Sequence, residues 1–341
     1  MDNNNSTKGS LGKCELPRLL VTANLEFLQN CYDDLVRNFE CIFAYGSGID
    51  EVNDLLSDRS AWFCSPCPDY YIDHEILCGA ASLEILVTPS TGITHIAKEY
   101  CDKKNIQIAT LKDSDVVNNI YASSEYTFAL ILAASRNLVP AVNGARRGEW
   151  RENEGEYRGI ELNGKTLGVI GYGRIGSNVA RYAISFGMKV IAFDPYVQIN
   201  REDEVDQAQN VLDVLQTADV IVTCVHLTDS TKEMMNRKTF SEMKNGAVFV
   251  NTSRGEVIDE AALVSALEKG KISAAAVDVM SNEQSRLRRD SPLLSYFEQN
   301  SNLIISPHIA GLTIDSERKA AEQSIEHLKK HFNINCKFPV S

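Results

Sequence analysis

Three short segments each close an apolar run with residues able to do chemistry: NTSRG at 251–255, DVMSNE at 278–283 and SPHIAG at 306–311. They supply Arg254, Asp278, Glu283 and His308. A histidine titrates near neutrality, so it can give a proton to an oxygen that gains charge and take it back in reverse. A carboxylate beside it favours the charged imidazolium. An arginine grips a carboxylate through two parallel N–H bonds and polarises a neighbouring carbonyl. Arg254, Glu283 and His308 together make a complete set for reducing a 2-keto acid, provided a hydride comes from elsewhere. Taken singly they read as a loop histidine, a surface cation and a solvated acid. Their shared place after successive strands gives them weight, because open α/β sheets bind ligands outside the carboxyl ends of their strands.

The stretch GYGRIG at 171–176 points to the hydride source. It follows an apolar strand-like run and opens a helical pattern. In that setting Gly171 permits a tight turn, Gly173 lets backbone approach a pyrophosphate, and Gly176 lets helix and strand pack closely. The helix N-terminus adds unpaired N–H groups and partial positive charge. Ile175, Val179, Ala183 and Phe186 form the helix's apolar support. Asp194 stands 18 residues beyond Gly176, at the end of the strand-like KVIAF. A carboxylate there accepts ribose hydroxyls and repels a 2′-phosphate, so the cofactor is NAD rather than NADP.

These segments need a scaffold, and the alternation of short apolar runs with helical patterns supplies one. RLLVTA, CIFAY, AWFC, EILVT and IQIAT are five strand candidates before residue 113. LGVIG, KVIAF, VIVTCV, AVFVNT, AAAVDV and NLIIS form a second series. Between them, 123–142 is apolar nearly all round through Leu138, as expected of one helix buried on several faces. A long helix follows Gly311 and returns to the first domain. The fold class is α/β, with two doubly wound parallel-sheet domains. A Rossmann cofactor domain, 117–308, is inserted in a flavodoxin-like substrate domain, 14–116 and 309–341. Residues 1–13 read as a disordered leader.

At 341 residues the chain is long enough for two cores. A net charge of −12 and the lack of a basic stripe argue against a nucleic-acid partner. No apolar run reaches membrane-span length, and MDNNNSTKGS lacks a signal-peptide core. Nine cysteines without a framework spacing fit reduced thiols in a cytoplasm. Cys64 and Cys67 form a lone C-x-x-C, which without a second pair does not make a zinc site; a thiol switch is its minor reading. His95 and His226 are placed near the two sites, and His327 and His331, spaced i, i+4, read as a solvated face. No metal is expected.

In GYGRIG, NTSRGEVIDEAAL and SPHIAG the sequence resembles the D-isomer-specific 2-hydroxyacid dehydrogenases, over about residues 83–330. SSEYTFALILAASRN at 123–137 is similar to that family's first interdomain helix. The resemblance implies an NAD-dependent oxidoreductase acting on a small D-2-hydroxy acid or 2-keto acid. It implies that Arg254 binds the substrate's carboxylate and carbonyl, that His308 is the general acid and base, and that Glu283 pairs with it. It places Arg174 and Ile175 by the pyrophosphate, Asp194 on the adenosine ribose, Thr252 at the nicotinamide and Asp278 on its carboxamide. Backbone at Thr91, Gly92 and Ile93 is implied to face substrate. A homodimer through the cofactor domain is also implied, with the apolar helix at 126–138 as its cause. Gln284 stands where the family often has proline, CSPCPDYY at 64–71 stands where phosphoglycerate-specific members carry arginines, and Gly144 stands near the place of their lysine. An NADH-sensing, partner-binding protein is the alternative on this scaffold, whereas formate-type oxidation conflicts with Glu283.

Overall fold

Five short parallel strands come first: β1 (Arg18–Val21), β2 (Glu40–Phe43), β3 (Ala61–Phe63), β4 (Ile85–Val87) and β5 (Gln107–Ala109). They form one sheet in the order β2-β1-β3-β4-β5. Seven more follow: β6 (Thr166–Ile170), β7 (Lys189–Phe193), β8 (Val205–Gln207), β9 (Val220–Thr223), β10 (Ala247–Asn251), β11 (Ile272–Val277) and β12 (Leu303–Ile305). These form a second sheet, β12-β11-β10-β9-β6-β7-β8. The computed structural model describes residues 15–200, 204–283 and 286–334, so the leader at 1–13 and Gln284 lie outside the described residues.

The strands are apolar on both sides because each sheet is covered on both faces. In the first sheet Leu19, Val21, Phe63, Ile85 and Val87 feed one core. Leu20, Trp62 and Leu86, the alternate positions, feed another. The second sheet divides in the same way, with Ile170, Ile221 and Phe249 on one side and Val169, Val222 and Val250 on the other. Both sheets are thus doubly wound. Each reverses its strand order once, between β1 and β3 and between β6 and β9, and ligand crevices form at such reversals.

The chain divides into two compact units, Met1–Val117 with Arg318–Ser341, and Asn118–Glu317. The helix Ile314–His331 runs through the second of these boundaries. Its Ala321, Ile325 and Leu328 are buried in the core of the first unit. His331 Nδ1 lies 3.0 Å from Gln107 Oε1, and its Nε2 lies 3.4 Å from Glu84. His331 is therefore tied to the edge of the first sheet.

Two expectations change. The apolar stretch at 123–142 is two helices, Ala122–Ser135 and Leu138–Arg146, with a bend of 67° between the segments Asp115–Ser135 and Leu138–Arg146. Pro140 explains the break, since its ring would clash with the carbonyl of Arg136 in a continuous helix. Asn137 makes the turn in the left-handed region at φ 46°. The all-round apolarity of the first helix is satisfied inside its own unit, where Phe128, Leu130, Ile131 and Ala134 are buried with β6, β9 and β10 side chains. β8 carries only one buried residue, Val205, and gave no apolar run to find. No single helix among the described residues is long and apolar enough to cross a membrane.

Candidate active site

The glycine turn joins β6 to the helix Arg174–Ser185. Gly171 sits at φ 93°, and a Cβ there would stand 2.5 Å from the carbonyl oxygen of Cys224 on the loop after β9. A Cβ on Gly176 would stand 2.1 Å from the carbonyl oxygen of Gly171. Those two glycines are demanded by packing. Gly173 is different: nothing lies within 4 Å of the place its Cβ would take. It caps the helix without a side-chain bond, leaving first-turn N–H groups toward open space. That is a cradle into which a phosphate fits and a side chain would intrude.

Asp194 follows β7 and faces the same turn. Its Oδ2 accepts from Tyr172 N–H at 2.9 Å and its Oδ1 from Tyr196 N–H at 2.9 Å. Each oxygen keeps acceptor capacity for a ribose hydroxyl. Arg174 donates from Nη1 to the carbonyl of Ile120, and burial pulls its pKa down. Ile175 packs partly buried beside Val179 and Ala183, whereas Phe186 remains half-exposed with its ring 4.9 Å from that of Phe128.

The segments after β10, β11 and β12 meet. His308 Nδ1 lies 2.6 Å from Glu283 Oε1. Glu283 Oε2 accepts from Met280 N–H at 3.3 Å. His308 occupies the left-handed region at φ 54°, a strained conformation for a residue with a side chain. Its N–H donates to the carbonyls of Asp278 at 2.8 Å and Ser306 at 3.0 Å. Beneath it Asp278, 1% exposed, gathers the rest of the loop. Its Oδ1 accepts from Ser306 Oγ at 2.6 Å and Ile309 N–H at 3.0 Å, and its Oδ2 from Ala310 N–H at 2.8 Å. Burial raises the Asp278 pKa, and those hydrogen bonds counter the rise. Asp278 thus anchors the histidine segment directly.

Arg254 rides on a loop fixed by Asn251, a buried residue that its apolar surroundings in the sequence concealed. Asn251 Nδ2 donates to the Arg254 carbonyl at 2.9 Å, and Oδ1 accepts from Thr223 Oγ1 and from the N–H and Oγ of Ser253. Arg254 Nη1 donates to Ser253 O at 2.6 Å. Asp278 N–H bonds the Asn251 carbonyl at 3.0 Å. A Cβ on Gly255 would lie 2.0 Å from the carbonyl carbon of Met280. The arginine loop and the glutamate loop are therefore in backbone contact. Thr252 shares a 2.7 Å hydroxyl contact with Thr127, on the helix before the sheet.

In the first unit, Thr91, Gly92 and Ile93 follow β4 and are partly exposed. Ser90 Oγ donates to the Gly92 carbonyl at 2.7 Å and shapes that turn. Nearby Cys64 is buried, 3.9 Å from His95 Nε2, while Cys67 is exposed. Among the described residues no group of histidines, cysteines and acids is arranged to hold a metal.

Residues 128–310 match the family described as D-isomer specific 2-hydroxyacid dehydrogenase, NAD binding domain. A glyoxylate reductase of Aeropyrum pernix is 32% identical over 333 residues, covering 92% of both chains. A D-3-phosphoglycerate dehydrogenase of Methanocaldococcus jannaschii is 35% identical over 261 residues, 76% of this chain and 47% of that protein. The chain spans about half the length of such phosphoglycerate dehydrogenases. A solved D-lactate dehydrogenase of Aquifex aeolicus, complexed with NAD and lactic acid, is 28% identical with a TM-score of 0.79, covering 92% of this chain and 95% of that one.

Proposed function

Because this chain belongs to the D-isomer specific 2-hydroxyacid dehydrogenase family, we propose that it is an NAD-dependent oxidoreductase interconverting a small 2-keto acid and its D-2-hydroxy acid. NAD(H), when bound, supplies or accepts the hydride. Residues 117–308 hold the dinucleotide: the N–H groups beyond Gly173 take the pyrophosphate, Asp194 the adenosine ribose, and Thr252 lies toward the nicotinamide. Residues 14–116 and 309–341 provide the substrate domain, with Thr91, Gly92 and Ile93 assigned to substrate.

The chain's own groups then divide the work. Arg254 pairs with the substrate carboxylate and polarises its carbonyl. His308 gives its Nε2 proton to the carbonyl oxygen in reduction and recovers it in oxidation. Glu283, at Nδ1, holds the ring and favours its charged form. The observation that carries this reading is the 2.6 Å contact between His308 and Glu283 on loops stitched to that of Arg254.

A homodimer is supported by apolar surface on the helix Leu138–Arg146 rather than on the buried helix before it. Leu138, Val139 and Val142 are exposed there, and Trp150 is 72% exposed. The cysteine spacing supports a cytoplasmic setting.

A panel of 2-keto acids, phosphorylated and not, followed by NADH absorbance, tests the proposal. Turnover that Arg254→Ala lowers by about a hundredfold or more is expected, from loss of a charge-assisted bidentate grip. Tight NADH binding with no turnover on any acid would favour a sensor instead.

A further inference from the structure

Eight residues downstream of the catalytic arginine's loop partner Asn251, the sequence carries DEAAL at 259–263, where Asp259 caps a helix and Glu260 opens it. A first-turn acid normally needs only the helix dipole to explain it. Glu260 does something more specific. Its Oε1 accepts from the Ser281 N–H at 2.7 Å, and its Oε2 accepts from Ser291 Oγ at 2.7 Å. Ser281 and Ser291 are the two ends of the loop that carries Glu283. Ser291 is buried and caps the helix Pro292–Phe297 through the Leu293 N–H. One carboxylate therefore ties both ends of the loop.

We propose that Glu260 is a positioning residue for the proton relay, setting where Glu283 stands against His308. This rests on the assignment of Glu283 and His308 as that relay. Within the loop Glu283 is held by single contacts, Met280 N–H at 3.3 Å to Oε2 and Arg288 Nη1 at 3.2 Å to its carbonyl. The Arg288 contact is exposed and gives little fixity. The charge-assisted bonds to Glu260 are the strong ones. Fixing both ends of a loop removes most of the conformations that would carry Glu283 away from the 2.6 Å contact. Gly255 against Met280 limits translation at the first end, and Glu260 adds the second. Among the described residues, Glu283 bears on His308 at Nδ1 and Asp278 through the backbone and electrostatically.

The test compares wild type with Glu260→Ala and Glu260→Gln in the full chain. Glutamine keeps an acceptor for the Ser281 N–H and offers a donor to Ser291 Oγ, so it retains the clamp, whereas alanine removes it. The first readout is the His308 imidazole titration by NMR without cofactor, with His308→Asn for assignment. The second is the pH profile of keto-acid reduction, with NADH affinity as the control for folding. In Glu260→Ala the His308 midpoint is expected to fall by about half a unit or more as Glu283 drifts, and kcat to drop about tenfold or more through misplacement of the relay. Glu260→Gln should stay within about twofold of wild type, and NADH affinity should hold in both, as for a change confined to positioning. An alanine variant with an unchanged His308 titration, or a glutamine variant that falls as far as alanine, would overturn the clamp. If Glu260→Ala loses NADH binding, Glu260→Asp, one methylene too short to hold both ends, takes its place under the same criteria. Absence of turnover in the wild type would end the relay assignment, and the His308 titration would still decide the clamp.

Discussion

His308 Nδ1 lies 2.6 Å from Glu283 Oε1, on a backbone turned to φ 54° whose N–H is held by the Asp278 carbonyl. The ring is thus oriented from the side and from below. Glu283→Gln keeps an oxygen for Nδ1–H and removes the negative charge. The protonated imidazole, needed for reduction, is then less favoured, so the rate is lost at lower pH than in wild type. The alkaline limb of kcat/KM for reduction should move down by about one unit, with a loss of about tenfold or more at neutral pH. Initial rates across pH measure both. A profile displaced upward, or not at all, would contradict the pairing.

The four glycines of the site divide by what their missing Cβ would meet, and they should divide in the same way on substitution. Gly173→Ala meets open space and should cost no more than about 1 kcal/mol, the loss of a tolerated N-cap, while weakening NADH binding, because the new methyl enters the phosphate cradle. Gly176→Ala and Gly255→Ala each meet backbone within 2.1 Å and should cost about 1–3 kcal/mol, the usual range for overpacking. Thermal unfolding and NADH titration of the three variants separate the classes. A Gly173→Ala protein that is destabilised yet binds NADH normally would remove the cradle from the argument.

Much of this was legible in the sequence, for physical reasons. Strands buried on both faces read as apolar runs, which is why eleven of the twelve were visible and the edge strand β8, with one buried residue, was not. The glycine turn and Asp194 were legible because Gly171 and Gly176 answer steric demands that no other residue meets, and Gly173 keeps the space above the helix N-terminus open. Arg254, Glu283 and His308 could be named from chemistry and from their places after strands. What the sequence hid were the groups that hold them. Asn251 works through its immediate neighbours and Thr223, and Gly255 and Glu260 through Met280, Ser281 and Ser291, more than twenty residues on; no periodicity announces such contacts. The bend at Asn137 was missed although Pro140 signalled it, because the apolar run continued past it.

Asp278 is buried with three donors on its carboxylate, and burial raises its pKa. A raised folded-state value means that the protonated acid favours the fold, so this group's contribution is present at acid pH and is lost as pH rises through its folded-state pKa. Asp278→Asn removes that titration. It also turns an amide N–H toward the Ala310 N–H, leaving donors facing each other. The variant should therefore be less stable at pH 7 by about 1–3 kcal/mol, the cost of an unmet buried bond. Its stability should lack the wild-type decline just above the ordinary carboxylate range. Unfolding followed at a series of pH values checks the sign. A variant whose deficit grows, rather than shrinks, with rising pH would contradict it.

The C-x-x-C pair is split by burial. Cys64 is fully enclosed beside His95, and burial pushes its thiol up to about 12. Cys67 is exposed. The thiolate is the species that attacks alkylating reagents and disulfides, so Cys64 offers almost none near neutrality. Iodoacetamide at about pH 8 should label Cys67 within minutes, whereas Cys64 reacts only after denaturant opens the first unit, as expected for an accessible against an enclosed thiol. Mild oxidation should give no disulfide between them, because an inert, enclosed thiol cannot lead the exchange. Peptide mass spectrometry reads both results. Labelling of Cys64 in the folded protein at a rate near that of Cys67, or a 64–67 disulfide formed without loss of NADH binding, would restore the thiol switch as a property of the first unit.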